Sequence, residues 1–253
     1  MLNDLVSAGY KTLPLFVTLY GAEGAGKSTF ASQAPKPLFI DFENGSNFLD
    51  VNRIQPKSYL QFIEILKMLE TEKHDYQTLV IDSVDFAEEM LSDYVCEMNG
   101  KKNLEDWGYG AGYKYLSKAF FNFLSGVERL RQVRGMHIIF IAHCSIRKFE
   151  DPRLQQSYDR YTLKLYHANA ERLKESSDFL LYAGFQDMTT GGGSNSQGGK
   201  AKGISTGKRL LMTQRAPAFD AKSRVNIPEQ LDLSWSSFFH SIYPQESQVQ
   251  KQL

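Results

Sequence analysis

Runs of consecutive apolar residues, each closing on a small or charged residue, recur through the first part of the chain. Leu15 to Tyr20, Pro37 to Phe42, Thr78 to Asp82 and His137 to Ala142 are rich in Val, Ile, Leu and Phe, the pattern of strands buried on both faces. Between them the apolar positions recur with a helical period. From Ser58 to Glu70, Phe62, Ile65, Leu66 and Leu69 share one face; from Tyr113 to Arg134, Leu116, Ala119, Phe120, Phe123, Leu124, Val127 and Leu130 do the same. Strands alternating with helices predict right-handed crossovers and an α/β fold with a mainly parallel central sheet flanked by helices. Beyond Ala142 the pattern loosens. A polar stretch from Cys144 to His167 leads to a short helix near Asn169 to Ser177, then to Phe179–Phe185 and Arg209–Thr213, which read as a C-terminal antiparallel hairpin. Residues 189–208 are Gly- and Ser-rich and read as a flexible loop, and residues 244–253 as a polar tail.

Composition narrows this picture. A chain of 253 residues with 42% hydrophobic content supports one substantial core, so a single domain is expected over residues 1–243, with its core at about 14–225. Lys plus Arg equals Asp plus Glu, so any polyanion must be met by local patches rather than by a basic surface. Cys96 and Cys144, the only cysteines, are too few for a disulfide framework or a zinc cluster and suit a reducing compartment. No secretory or membrane-spanning pattern is legible, which places the expected location in the cytoplasm, or the host cytoplasm if the chain is phage-encoded.

The chemistry enters after the first apolar run. Gly21-Ala22-Glu23-Gly24-Ala25-Gly26-Lys27-Ser28-Thr29 fits G-x-x-x-x-G-K-[ST], between a strand and a helix that stops before Pro35. Glycines let successive N–H groups turn inward around phosphates; Lys27 is expected to reach the outer phosphates and the Ser28 hydroxyl to ligate magnesium. ATP and Mg2+ are the expected cofactors. A magnesium-bound triphosphate also needs an acid at a neighbouring strand end. Asp82 supplies it, as a ligand directly or through water, or else it caps the helix that follows. Asp41 and Glu43 close another strand and are expected to face different sides, with Glu43 polarising an attacking water and Asp41 open to a structural role. His143, after the fourth run, falls where a group would lie near the γ-phosphate; a buried structural histidine is the other reading.

Together GAEGAGKST, LFIDFEN, TLVIDSVD and HIIFIAH resemble the RecA-like ATPase core, in particular the minimal phage-encoded forms that act in single-strand annealing and recombination. The resemblance spans roughly residues 14–225. It implies that Glu43 of Asp41-Phe42-Glu43 is the catalytic base, and that His143 stands where the family commonly has a Gln that senses the γ-phosphate. It implies two DNA-contacting loops. The corresponding stretches are Asn99 to Tyr113, with Lys101, Lys102, Trp107 and Tyr109, and Cys144 to His167, with Arg147, Lys148, Arg153, Arg160 and Lys164. Both interleave cations and aromatics, the composition that tracks phosphates and stacks bases, although Glu105, Asp106, Glu150, Asp151 and Asp159 offset much of the charge. The family also places nucleotide between subunits, which makes Arg215, Lys222 and Arg224 candidates for acting in trans and implies a homo-oligomer, ring or filament. The implied partners are single-stranded DNA and, alongside it, a single-strand DNA-binding protein. The reading is a DNA-stimulated ATPase that promotes annealing or strand exchange. A helicase loader or partner-binding switch is the alternative from another class, and a small-molecule P-loop kinase is disfavoured because residues 190–208 hold no Arg for a closing lid.

Overall fold

A computed structural model describes residues 13–153, 155–190 and 202–243. The central strands are β1 (Phe16–Gly21), β2 (Pro37–Asp41), β3 (Asn52–Ile54), β4 (Thr78–Asp82), β5 (His137–Phe149), β6 (Tyr158–Leu163) and β7 (Phe179–Thr190); β8 (Lys202–Met212), β9 (Lys222–Ser223) and β10 (Gln230–Asp232) follow. The helices are α1 (Lys27–Ser32), α2 (Tyr59–Thr71), α3 (Val84–Met98), α4 (Ala111–Arg134), α5 (His167–Ser176) and α6 (Trp235–Ile242). Strand order is β10-β8-β7-β1-β5-β4-β2-β3. From β3 to β7 all neighbours are parallel, and β8 pairs antiparallel with both β7 and β10, so the predicted sheet and C-terminal hairpin are both present.

Side chains on the parallel strands alternate between two cores, which is why their sequences read as unbroken apolar runs. Phe16, Leu38, Ile40, Leu79, Ile81, Ile138 and Phe140 pack with α2, α3, α4 and α5 on one face. Val17, Leu19, Phe39, Val80, Ile139 and Ile141 pack with Phe30 of α1 and with Trp235 and Phe238 of α6 on the other. The Ser58 hydroxyl accepts from Gln61 N and starts α2, and the Ser234 hydroxyl accepts from Ser237 N and starts α6.

Two expectations are revised, and a third holds for a different reason. The stretch read as a polar loop from Cys144 to His167 is largely a β-hairpin: β5 runs on to Phe149 and pairs antiparallel with β6, with Cys144 opposite Leu163 and Phe149 opposite Tyr158. Its polarity misled because this part of β5 has only one strand neighbour and no second layer to bury it. The expected loop 189–208 is strand at both ends, in β7 to Thr190 and in β8 from Lys202, while residues 191–201 lie outside the described residues, as does the tail at 244–253. The acids Asp41 and Glu43 do diverge, because β2 ends at Asp41 and the chain turns; residues two apart on one strand would share a face.

Candidate functional site

The parallel strands end level at one edge. Gly21 is in register with His143, and Asp41 with Asp82. That edge carries a cleft of about 320 Å³ lined by the phosphate-loop residues Glu23, Gly24 and Gly26 to Thr29, by Glu43, Asp82 and His143, and by Phe48 and Arg209. Carboxyl ends of parallel strands are where an open α/β sheet binds its ligands.

After β1 the chain makes a tight loop in which Gly24 and Gly26 adopt positive φ of 71° and 100°, a conformation that favours glycine. Gly26 is also closely packed: a Cβ there would lie 3.1 Å from Leu233 Cδ2 and 3.3 Å from Arg209 Cδ, so those side chains would have to give way. Lys27 is buried, and its ammonium donates to the carbonyls of Gly21 and Ala22, at 2.9 Å each. Burial pushes its pKa down, opposed by the charges of Asp82, Glu43 and Asp85.

The Ser28 hydroxyl donates to Asp82 Oδ2 at 2.8 Å, while Asp82 Oδ1 is buried without a hydrogen-bond partner. Burial, with Glu43 and Asp41 nearby, pushes the Asp82 carboxyl up to about 6. A site this acidic, with an orphaned oxygen beside a hydroxyl, fits a cation. An ion such as Mg2+ takes one or two protein ligands and completes its shell with phosphate and water. Ser28 and Asp82 are the residues that would hold it.

Asp41 is structural. Its carboxylate accepts from Gly45 N, Ser46 N and the Ser46 hydroxyl. These bonds outweigh burial and hold the acid below the usual carboxylate range. They also fix the turn that swings Glu43 into the cleft, where burial raises its pKa and the His143 imidazole opposes the rise. His143 Nε2 lies 3.8 Å from Glu43 Oε2. On its other side, Asp85 accepts from the backbone N–H of His143 at 3.0 Å and pairs with Nδ1 at 2.8 Å.

Arg209, Phe48 and Asp85 had no role in the sequence reading. Asp85 is the one with a legible signal: it follows Asp82 by three residues in TLVIDSVD, across the short step from the end of β4 into the first turn of α3, so both acids can approach the same edge. Phe48, fully exposed on the turn that Asp41 organises, and Arg209, brought in by the register of Phe185 opposite Arg209, depend on pairings that local sequence does not encode.

The remaining candidates are scattered. In the stretch before α4 the backbone forms two short 3-10 turns, and Lys101 sits 5.7 Å over the Trp107 ring. Lys102 is exposed there, and so is Tyr109, which has a positive φ of 56°. Beyond His143 the β5–β6 hairpin extends from the same edge as the cleft and carries Arg147, bonded to Leu165 O, and Lys148, which is exposed. Lys164 packs over Phe86, and Arg153 pairs with Asp151. Arg160 is a correction: at 4% exposure, with its guanidinium on Phe219 O and Asp220 and over the Phe149 ring, it is committed to the fold and faces no surface ligand. Arg215 is exposed and shares a second cleft, of about 490 Å³, with Asp151, Arg153 and Tyr158. Lys222 and Arg224 lie beside the amino end of β7, at the edge opposite the phosphate loop. The first donates to Lys174 O and Glu175 O and the second pairs with Asp178.

A glycine-rich loop after the first strand, its lysine, and an acid ending a neighbouring parallel strand place the chain among P-loop nucleotide-binding proteins. Within that class the AAA domain family matches residues 13–225, and the chain belongs to it. The chain is also similar to the SPbeta prophage-derived uncharacterized protein YorG of Bacillus subtilis (strain 168), at 31% identity over 138 residues that make up 51% of this chain and 41% of that one. The match thus spans about two fifths of the length of that relative. Among the described residues no helix is long and apolar enough to cross a membrane.

Proposed function

We propose that the protein is a RecA-like ATPase that binds single-stranded DNA and promotes annealing or strand exchange, as part of a homo-oligomer. The observation that carries this reading is a continuous one: His143 lines the nucleotide cleft beside Glu43, and the same strand runs on into a hairpin bearing Arg147 and Lys148. In this reading Lys27 and the loop amides hold the triphosphate, and Glu43 takes the proton of the attacking water. Magnesium, when bound, neutralises charge on the phosphate oxygens. The exposed hairpin cations follow the DNA backbone, with Lys101, Lys102, Trp107, Tyr109 and Lys164 as further contacts. The prophage origin in the relative's name favours a phage setting.

Steady-state ATP hydrolysis, measured with and without single-stranded DNA over a range of salt concentrations, tests the reading. Turnover should rise with DNA, and the rise should fade as salt increases. Turnover indifferent to DNA, together with no DNA retention at low salt, would leave a nucleotide-operated partner switch instead. Across a subunit boundary, exposed Arg215 is the best placed of the three basic candidates. Mixing Lys27→Ala and Arg215→Ala subunits should restore part of the activity that each variant lacks alone.

A further inference from the structure

An ionised carboxylate only accepts hydrogen bonds. Asp85 spends both oxygens on one residue, Oδ1 on the His143 backbone N–H at 3.0 Å and Oδ2 on the ring Nδ1 at 2.8 Å. Its side chain is 2% exposed, so water does not compete for it. The ring nitrogen facing Asp85 therefore carries a hydrogen, and Nε2 is the nitrogen turned toward the cleft. There it meets a second acceptor, Glu43 Oε2 at 3.8 Å. A neutral ring would present a lone pair to Glu43 and to any phosphate oxygen; a ring protonated at both nitrogens presents N–H donors to both sides.

Resting on the nucleotide reading above, we propose that Asp85 is a positioning residue that holds His143 as an imidazolium, with its Nε2–H aimed at the terminal phosphate of bound nucleotide. The chain then supplies a cation at the γ-phosphate from within the same subunit, through a buried acid on α3 and a histidine on β5. The charged groups facing the ring are Asp85 from α3, Glu43 from the turn after β2 and Lys27 from α1. The Phe86 ring stands edge-on at 6.2 Å with the Lys164 ammonium over it, and the backbone N–H of Lys164 donates to His143 O. The hydrogen bond and charge of Asp85, with Glu43, shift His143 upward against burial and Lys27, and the same bonds hold Asp85 below the usual carboxylate range despite its burial.

Nitrogen NMR of the histidine-labelled full chain, without nucleotide at pH 7, should show His143 protonated at both nitrogens, and Asp85→Asn should return a neutral ring. Calorimetry should then show that Asp85→Asn weakens a magnesium-bound imido analogue of ATP about tenfold or more while leaving MgADP unchanged. Combining Asp85→Asn with His143→Gln should add nothing to His143→Gln alone. A neutral His143 ring in the unaltered protein overturns the proposal even if Asp85→Asn does not fold, and so does an unchanged triphosphate preference in a folded Asp85→Asn. If neither nucleotide binds the unaltered chain, the nucleotide reading falls and takes this one with it, and the ring measurement, made without nucleotide, tells the two failures apart.

Discussion

Lys27 is buried and held by the two carbonyls at the start of its own loop. Removing its ammonium leaves those carbonyls without their donor and the phosphates without their cation, so Lys27→Ala is expected to abolish detectable MgATP binding by calorimetry. Glu43 is different, because among the described residues its one charged partner is His143, at 3.8 Å. Glu43→Gln keeps the shape and loses the base, so binding should persist while single-turnover hydrolysis falls by about 10² to 10⁴; undiminished turnover would move the base elsewhere. At this scale the sequence was informative where one motif carries the chemistry, as in Gly21 to Thr29, Asp82 and Glu43. It was silent on Arg209, which reaches the cleft only through pairing of two strands far apart along the chain, and it assigned Arg160 to a surface that the fold does not give it.

Each element carries its own constraint. β1 and β7 approach so closely at Gly21 that an added Cβ would lie 2.2 Å from Ala183 O. Gly21→Ala must therefore push two central strands apart, at about 1–3 kcal/mol or more, read as a lowered denaturation midpoint with an unchanged slope. The β5–β6 hairpin separates two kinds of arginine. Arg147→Ala with Lys148→Ala should weaken single-stranded DNA binding and flatten its salt dependence by about one unit per phosphate contact, with Tm lowered by no more than the loss of the Arg147 bond to Leu165 O accounts for. Arg160→Ala, which strips a buried guanidinium from Asp220 and Phe219 O while Lys174 still pairs with Asp220, should instead cost about 1–3 kcal/mol of stability. The buried strands were legible because both faces of each are apolar. The hairpin was not, since a strand with one neighbour and one wet face looks like a loop, and α6 escaped notice because it is only eight residues long, although Trp235, Phe238, Phe239 and Ile242 recur in it at helical spacing.

For the molecule as a whole, the two faces of the sheet are closed by unequal means. Three long helices and α5 cover one side, whereas the other relies on α1 and α6, with His137 as the joint. His137 Nδ1 accepts from Leu15 N at 2.9 Å, and its ring meets Trp235 and Phe239 edge-on at 5.7 and 6.3 Å. Burial, reinforced by the charge of Arg131, pushes its pKa down to about 4. The unfolded chain binds this proton nearer pH 6.5, so between those values the unfolded state holds more protons and stability rises with pH. The contribution, roughly 3 kcal/mol at most, is complete above 6.5 and lost as pH falls toward 4. Thermal melts over that window should fall less steeply for His137→Gln, which keeps an acceptor for Leu15 N, than for the unaltered protein; parallel curves would relieve His137 of this role.

The thirteen residues of β5 have one further consequence. Their inner half is clamped by parallel neighbours on both sides and their outer half only by β6, so the strand is mounted like an oar in a rowlock. At about 3.3 Å per residue, the blade reaches roughly 20 Å past His143, and a tilt of about five degrees at the pivot sweeps its tip through nearly 2 Å. A change as small as the loss of one phosphate could thus be felt at the far end of the same piece of backbone, with no hinge between.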